Sequence, residues 1–383
     1  MSEDIQELRG QIDVIDRQLT ELFRQRMAVT KKVGEYKAAR GLPVLDRARE
    51  KQVLAAKAAL VGDDLRADIT TLFETIMALS RRQQAALADD GAWIRAHREA
   101  WSACRIPPAD PRVLYQGEPG AYAEEAAVRF FGPDCRRSNT ATWEDIFVAL
   151  RDGQADYGVL PIENSSTGSI NQVYDLLARY GAYIVGEQTI RVDHCLMAPP
   201  GATLDTVRLV CSHEQGLFQC EDYLKQHPQW QRKAMLNTAA AAKWAADSGD
   251  VTVAAIGSRH AAGLYGLTIL AEGVNTNREN FTRFVVVSPL PELREGRNKI
   301  SAMFTLAHES GTLHRIMTVF ATGGLNMMKL ESRPIPGRSW EYRFFVDFTG
   351  DLAAYGIDSI LREMSQCAET LRILGNYRAD DTE

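Results

Sequence analysis

A chain of 383 residues with 45% apolar and 25% charged side chains can bury two or three separate cores. Its formal charge of -6 offers no reason to expect nucleic acid or an anionic membrane as partner, so a ligand has to be sought in local clusters of polar and basic residues. No apolar run is long enough for a membrane helix, the start MSEDIQELRG has no secretory or transit pattern, and the cysteines and histidines fall without metal-ligand spacing; the expectation is a cytoplasmic protein with free thiols and neither metal nor cofactor.

From about Ser2 to Gln84, apolar residues Ile5, Leu8, Ile12, Ile15, Leu19, Leu22, Met27 and Val33 recur at helical spacing. A turn at Arg40–Pro43 ends a long first helix, Asp46 can cap a second, Gly62–Asp64 breaks it, and Leu65–Leu87 reads as a third. Three such helices cannot enclose a generous core alone, so a homodimer is expected. Residues 88–110 read as a helical extension running into a proline-stiffened linker.

From Arg112 the pattern becomes short apolar runs (VLYQG, YGVLPI, VRLVCS, VTVAAIG) separated by helical stretches, which predicts a mostly parallel α/β fold in two lobes with a cleft between them. Gly117–Glu118–Pro119–Gly120 precedes a helix whose N–H groups can face an anion, without a complete dinucleotide fingerprint. Two polar clusters border apolar strands here: PIENSSTGSIN at Pro161–Asn171 and NFTRF at Asn280–Phe284. The second sets a hydroxyl beside a guanidinium, an arrangement suited to holding an anion while protonating a leaving group. From Lys299 to Tyr377 the order strand, helix, strand, strand, helix, strand predicts a ferredoxin-like unit with one side free to pair with a second copy, either a dimerisation module or a small-molecule sensor. The architecture expected is thus multidomain: an all-α domain at 1–90, a join at 91–111, a bilobed α/β domain at 112–289 and an α+β unit at 299–378.

In the helical region, Arg26 and Lys37 share a face about 16 Å apart, whereas Arg9 lies about 25 Å from Arg26 on another face and can reach the same ligand only from a partner chain. Ser80 and Gln84 share a face of the third helix. With LRGQID at Leu8–Asp13, VGEYK at Val33–Lys37 and DRARE at Asp46–Glu50, these residues make the first 88 or so positions resemble the all-helical type of chorismate mutase. The resemblance implies that Arg9 and Arg26 hold the substrate carboxylates with Arg49 in support, that Lys37 and Gln84 bond the ether oxygen, and that Glu50 and the backbone near Asp46 receive the ring hydroxyl. Glu50 reads equally as a helix counter-ion and Ser80 as a packing residue.

PIENS, STGSINQVYDLL, GE at Gly186–Glu187, DHCL at Asp193–Leu196, SH at Ser212–His213 and NFTRF resemble prephenate dehydratase in their order and spacing, and nearly the whole chain resembles the bifunctional chorismate mutase/prephenate dehydratases. This implies Thr282 as proton donor to the departing hydroxyl and Arg283 as the group aligning a carboxylate. Glu163, Asn164, Ser165 and Thr167 would line the cleft, the start of the helix at Ser169–Ile170 would take the second carboxylate, and Ser212, His213 and Phe284 would support the site. His213 competes as acid or base, Glu163 can instead hold Asn164, and Ala123 stands where a serine is expected. GTLHRIM at Gly311–Met317 and ESRPIPG at Glu331–Gly337 resemble the phenylalanine-binding ACT module, which implies contacts from Gly311, Thr312, Leu313, Glu331, Ser332, Arg333 and Pro334. The ligands implied are chorismate, prephenate and phenylalanine; arogenate in place of prephenate, or ligand sensing without turnover, are the rival readings.

Overall fold

A computed structural model of the chain describes residues 5–87, 101 and 104–380. Three helices come first, α1 (Ile5–Ala38), α2 (Arg47–Ala58) and α3 (Arg66–Leu87). Asp46 has extended backbone, and its carboxylate accepts the Arg49 N–H at 3.0 Å, which starts α2 where the sequence suggested. Gly34 lets α1 close on α3: a Cβ there would stand 3.0 Å from Gln84 Cγ and 3.2 Å from Gln84 Cα. Along the rest of α1 an apolar stripe is uncovered, with Ile12, Ile15, Leu19 and Leu22 between 53% and 60% exposed. The expected helical extension at 88–100 lies outside the described residues, while Trp101 is helical and buried edge-on against Tyr183.

The α/β region forms two lobes, each around one sheet. The first sheet takes β1 (Val113–Gln116), β2 (Arg137–Thr140), β3 (Tyr157–Asn164), β4 (Gly168–Ser169), β5 (Tyr183–Arg191) and β11 (Phe281–Ser288), in the order β2-β1-β3-β11-β5 with β4 beside β3. The second takes β6 (His194–Ala198), β7 (Leu209–His213), β8 (Gln231–Met235), β9 (Val253–Ser258) and β10 (Thr268–Ala271), in the order β10-β6-β9-β7-β8. Helices α4 (Tyr122–Phe131), α5 (Trp143–Arg151) and α6 (Asn171–Tyr180) accompany the first lobe, and α7 (Glu214–Gln219), α8 (Glu221–Lys225), α9 (Thr238–Ser248) and α10 (Arg259–Leu264) the second. The expectation of mostly parallel sheets needs correction, since both are mixed. β1 is parallel to β2 and β3, and β7 to β8 and β9, but β11 opposes β3 and β5, and β6 opposes β9 and β10. The chain crosses between lobes twice, out through β5 into β6 and back through β11, and the returning strand enters the first sheet against both neighbours.

The last sheet takes β12 (Lys299–Thr305), β13 (Met327–Pro334), β14 (Tyr342–Thr349) and β15 (Thr370–Tyr377) in the antiparallel order β13-β14-β12-β15, with α11 (Thr312–Gly323) and α12 (Ile357–Cys367) in the expected βαββαβ positions. Ile300, Ala302 and Phe304 alternate onto the helix side, against Ile316, Phe320 and Met364. Of the edge or face expected to be free for a second copy, the face opposite the helices is occupied by the first lobe. Phe345, Leu374 and Tyr377 join that lobe's core, the rings of Phe345 and Tyr174 lie 4.8 Å apart, and a Cβ on Gly375 would fall 2.1 Å from the Ile184 carbonyl oxygen.

Candidate active sites

Between α1 and α3, Arg26 Nη1 donates to Ser80 Oγ at 2.6 Å, and Ser80 Oγ in turn donates to the Ile76 carbonyl. Burial pulls the Arg26 pKa down, and among the described residues no carboxylate pairs with it, so a half-buried cation is held by a neutral hydroxyl. Gln84 is buried on the same helix face as Ser80, and its amide oxygen has no partner among the described residues. One turn beyond Gly34, Lys37 Nζ donates to the Val44 carbonyl at 2.7 Å. Glu50 pairs with Arg81 at 2.5 Å, which matches its reading as a counter-ion; Arg81 itself was not anticipated. Asp46 is committed to its cap, Arg49 is exposed, and Arg9 is exposed near the start of α1.

The lobes enclose a second cavity of about 460 Å³. It is built on register: β11 pairs with β3 so that Thr282 stands opposite Asn164, and both side chains reach the same face. Asn164 Oδ1 accepts the backbone N–H groups of Ser166 (3.0 Å) and Thr167 (3.1 Å) as well as the Thr167 hydroxyl (3.2 Å). Because a backbone N–H can only donate, the amide nitrogen is the atom that faces inward, donating to Asn280 Oδ1 at 2.8 Å and to Thr282 Oγ1 at 3.0 Å. Thr282 therefore accepts from Asn164 and keeps its own proton for the cavity.

Thr167, His213 and Phe284 also line the cavity. His213 Nδ1 accepts the Gln215 N–H at 3.3 Å, which starts α7, and burial lowers its pKa. Ser165 closes the strand junction instead, bonding Phe281 N and Glu279 O. Ser212 does not line the cavity: it is wholly buried and donates to the Ile256 carbonyl at 2.8 Å, a place from which it can support the site only through the strand. The amino ends of α4 and α6 open on the cavity through Ala121, Tyr122, Ile170 and Gln172, and neither has a side-chain cap. Among the described residues lining it there is no lysine, arginine or carboxylate.

That last point overturns the roles expected of Arg283 and Glu163. Successive side chains of a strand point to opposite faces, so Thr282 toward the cavity means Arg283 away from it. Arg283 lies behind the sheet with Glu163 (3.0 Å), Glu187 (3.1 Å) and Asp347 (2.9 Å), while Lys299 adds a bond to Glu187 and Lys329 one to Glu163 at 2.7 Å. Although burial pushes Glu163 up, Lys329 and Arg283 hold its carboxyl below the ordinary range. These charges join the first lobe to the last sheet.

A third cavity, about 330 Å³, lies against the start of α11 and is lined by Thr312, Leu313, Glu309, Trp340 and Tyr342 among others. Gly311, at φ 80°, makes the turn into α11. The ESRP segment lies elsewhere: Glu331 bonds Ser169, Arg333 makes a paired contact with Asp175 (2.7 and 3.0 Å), and Ser332 and Pro334 are exposed. Within one chain the two segments expected to bind phenylalanine therefore do not share a cavity.

Residues 8–85 match the family model for chorismate mutase type II and residues 113–291 that for prephenate dehydratase. The bifunctional chorismate mutase/prephenate dehydratase of Escherichia coli (strain K12) is 33% identical over 98% of this chain and 96% of its own. The chain belongs to the bifunctional chorismate mutase/prephenate dehydratase family. The chain is also similar to arogenate dehydratase 3 of Arabidopsis thaliana, at 38% identity over 71% of this chain and 68% of that one. Among solved structures, a prephenate dehydratase from Arthrobacter aurescens in complex with L-Phe is 27% identical, with a TM-score of 0.64 over 70% of this chain and 89% of that one. For a member of this bifunctional family, the sequence reading offers Tyr122 as one source of the hydroxyl that Ala123 lacks, but it missed His194 and Gln219, which meet Tyr122 at the wall of the dehydratase-matched cavity. DHCL was a visible signal for His194, but only the contact between lobes brings it to Tyr122.

Proposed function

We propose that the chain carries out two consecutive steps of phenylalanine biosynthesis in the cytoplasm, rearranging chorismate to prephenate and then converting prephenate to phenylpyruvate, with phenylalanine as inhibitor. The observation that carries the second step is the Thr282 hydroxyl, which accepts from Asn164 at 3.0 Å and, among the described residues, meets no acceptor for its own proton. As the ring carboxylate departs as carbon dioxide, its bonding pair makes the ring aromatic and expels hydroxide. Thr282 donates the proton that turns hydroxide into water, and the Asn164 N–H steadies the alkoxide left on Thr282. Phe284 and Thr167 shape the pocket, and the uncapped amino ends of α4 and α6 offer neutral N–H donors to the two carboxylates.

The first step is a concerted shift that needs only a pocket complementary to its polarised, compact transition state. Arg26 takes a carboxylate with Ser80 steering it, Lys37 and Gln84 serve the ether oxygen, and Arg49 supports the anionic end. Arg9 comes from a second copy, because about 25 Å of helix separates it from Arg26. The uncovered stripe at Ile12, Ile15, Leu19 and Leu22 repeats at three and four residues, as a helix seam does, and supports a homodimer.

Residues 299–378 are the ACT regulatory module in this reading. Phenylalanine occupies the cavity beside Gly311–Leu313, with the exposed Ser332 and Pro334 of a second copy closing it. Glu331 and Arg333 of the same strand grip Ser169 and Asp175 around the start of α6, which gives the effector a mechanical route to the cleft. Arogenate is a second reading for the dehydratase step, favoured by the 38% identity to an arogenate dehydratase.

The test is a time course on purified protein given chorismate, prephenate or arogenate separately, with and without phenylalanine. Accumulation of phenylpyruvate from chorismate by way of prephenate, slowed by phenylalanine, is the expected result. Preference for arogenate moves the second reading forward, and no turnover of any substrate removes both.

A further inference from the structure

His194 is 2% exposed and sits at the wall of the cleft between two partners. Its Nε2 is 3.0 Å from Gln219 Oε1, and its Nδ1 is 3.1 Å from the Tyr122 hydroxyl, whose oxygen is also 3.1 Å from the Asp193 carbonyl. The backbone is pinned as well, with His194 N donating to Asn275 Oδ1 at 2.7 Å. Burial lowers the ring's pKa to about 4, so at neutral pH it is uncharged and carries one proton.

A single ring proton makes the chain of contacts directional. An amide oxygen accepts only, so Gln219 Oε1 requires the proton on Nε2. Nδ1 is then bare, and the Tyr122 O–H, which reaches Nδ1 and the Asp193 carbonyl at the same 3.1 Å, turns its one proton to the ring. The amide nitrogen of Gln219 stays uncommitted among the described residues, with two donors at the cleft wall. With the opposite tautomer every bond reverses: Tyr122 donates to Asp193, Nδ1–H donates to Tyr122, Nε2 takes the Gln219 amide, and an acceptor oxygen faces the cleft. An anionic substrate is attracted in the first state and repelled in the second.

We propose that His194 is a positioning residue for the dehydratase step: held as the Nε2–H tautomer by Tyr122, it orients Gln219 so that its amide donors receive an anionic oxygen of the substrate. This rests on the dehydratase reading of the cleft. It also matters more here than in a site lined with arginine, because the donors available in this cavity are neutral.

Two measurements on the full-length protein test it. The first is the ¹⁵N spectrum of the histidines, with His194 identified by substitution; it reports the tautomer without reference to turnover. The second is steady-state kinetics with prephenate for His194→Gln, whose amide can reach the Nε2 position, and His194→Asn, whose shorter amide reaches only the Nδ1 position. The expected results are an Nε2–H signal, a KM raised roughly ten- to hundredfold in His194→Asn with kcat little changed, and a KM close to wild type in His194→Gln. Loss of folding alone would lower the active fraction without moving KM. Tyr122→Phe, which keeps the ring and removes the donor to Nδ1, is expected to raise KM and to mix the two tautomers; it serves if His194 variants do not fold. An Nδ1–H signal in the wild type, an unchanged KM in His194→Asn, or equal KM values in the two His194 variants overturns the proposal. Failure of the wild type to turn over prephenate would remove the dehydratase reading while leaving the tautomer result standing.

Discussion

Asn164→Asp exchanges one NH2 for an oxygen at nearly constant size and inverts the polarity of the contact on which the dehydratase step depends. The retained oxygen still accepts the Ser166 and Thr167 N–H groups, so the loop after β3 keeps its anchor. Asn280 and the Phe281 carbonyl lose their donor; the carbonyl keeps the Ser165 N–H, and because Asn280 Nδ2 is buried with no partner among the described residues, a flip of that amide supplies a bond to the new carboxylate. At Thr282 Oγ1, 3.0 Å away, a donor becomes an acceptor, and the proton available between the two oxygens is the threonine's own. Pulling that proton back toward the cleft breaks a bond to a charged acceptor, about 1.5–3 kcal/mol, and the lost donor to the nascent alkoxide adds about 1 kcal/mol. At 1.36 kcal/mol per decade, kcat for prephenate should fall about 10²- to 10³-fold. The assay is saturating-substrate turnover of Asn164→Asp, Thr282→Val and the double variant, with urea midpoints to show that stability has changed by less than about 1 kcal/mol. Because Asn164 is argued to act through Thr282, the double variant should be no slower than Thr282→Val alone. A single-variant kcat within tenfold of wild type, or additive losses in the double variant, would refute the reasoning.

Arg26→Ala removes the half-buried cation of the helical site and should lower mutase kcat/KM about 10²- to 10³-fold while prephenate turnover holds; a mutase loss under tenfold would show that Arg26 does not carry the substrate. Glutamates at both Ile15 and Leu22 put charge into the uncovered stripe of α1 and should convert a dimer to monomers with loss of mutase, read by sedimentation; a wild-type monomer with full mutase activity would contradict the shared site. His194 titrates near 4 in the folded chain against about 6.5 unfolded, so the unfolded state binds the extra proton and stability should fall by on the order of 3 kcal/mol as pH drops from about 6.5 to about 4. Denaturant midpoints across that range should flatten in His194→Gln, and parallel slopes would count against the assignment. Arg82 bonds the Thr322 carbonyl at 2.7 Å and Glu363 at 3.3 Å, joining α3 to α11 and α12. Arg82→Ala should cost about 1–3 kcal/mol, since Glu363 is 1% exposed, and should loosen phenylalanine inhibition of the mutase more than that of the dehydratase; equal effects on both would argue against this contact as a separate route.

How far the sequence could be read depended on whether the deciding contact was local. The helical unit was legible because periodicity over α1 and a cap at Asp46 act within a few residues. The βαββαβ order was legible from alternating runs, but not that its second face would be filled by Phe345 and Tyr377 against the first lobe. NFTRF pointed to a strand that lines the cleft, where Thr282 faces the cavity and Arg283 does not. Alternation requires Thr282 and Arg283 to diverge, yet which one meets the cleft is decided by pairing with Asn164 and Glu163, more than a hundred residues away, and by the charges of Asp347, Lys299 and Lys329 that wait behind the sheet.

The corrected geometry also suits the chemistry better than the expected one did. Prephenate enters with two carboxylates and loses one as neutral carbon dioxide, so negative charge drains from the departing group as the transition state forms. An arginine bonded to that carboxylate would hold the ground state more tightly than the transition state and raise the barrier. Neutral donors such as the uncapped amino ends of α4 and α6, with the Gln219 amide proposed to join them, would attract the dianion less strongly and give up less as its charge disperses. Arginines suit the mutase step, whose dianion keeps its charge throughout, better than they suit a decarboxylating cleft.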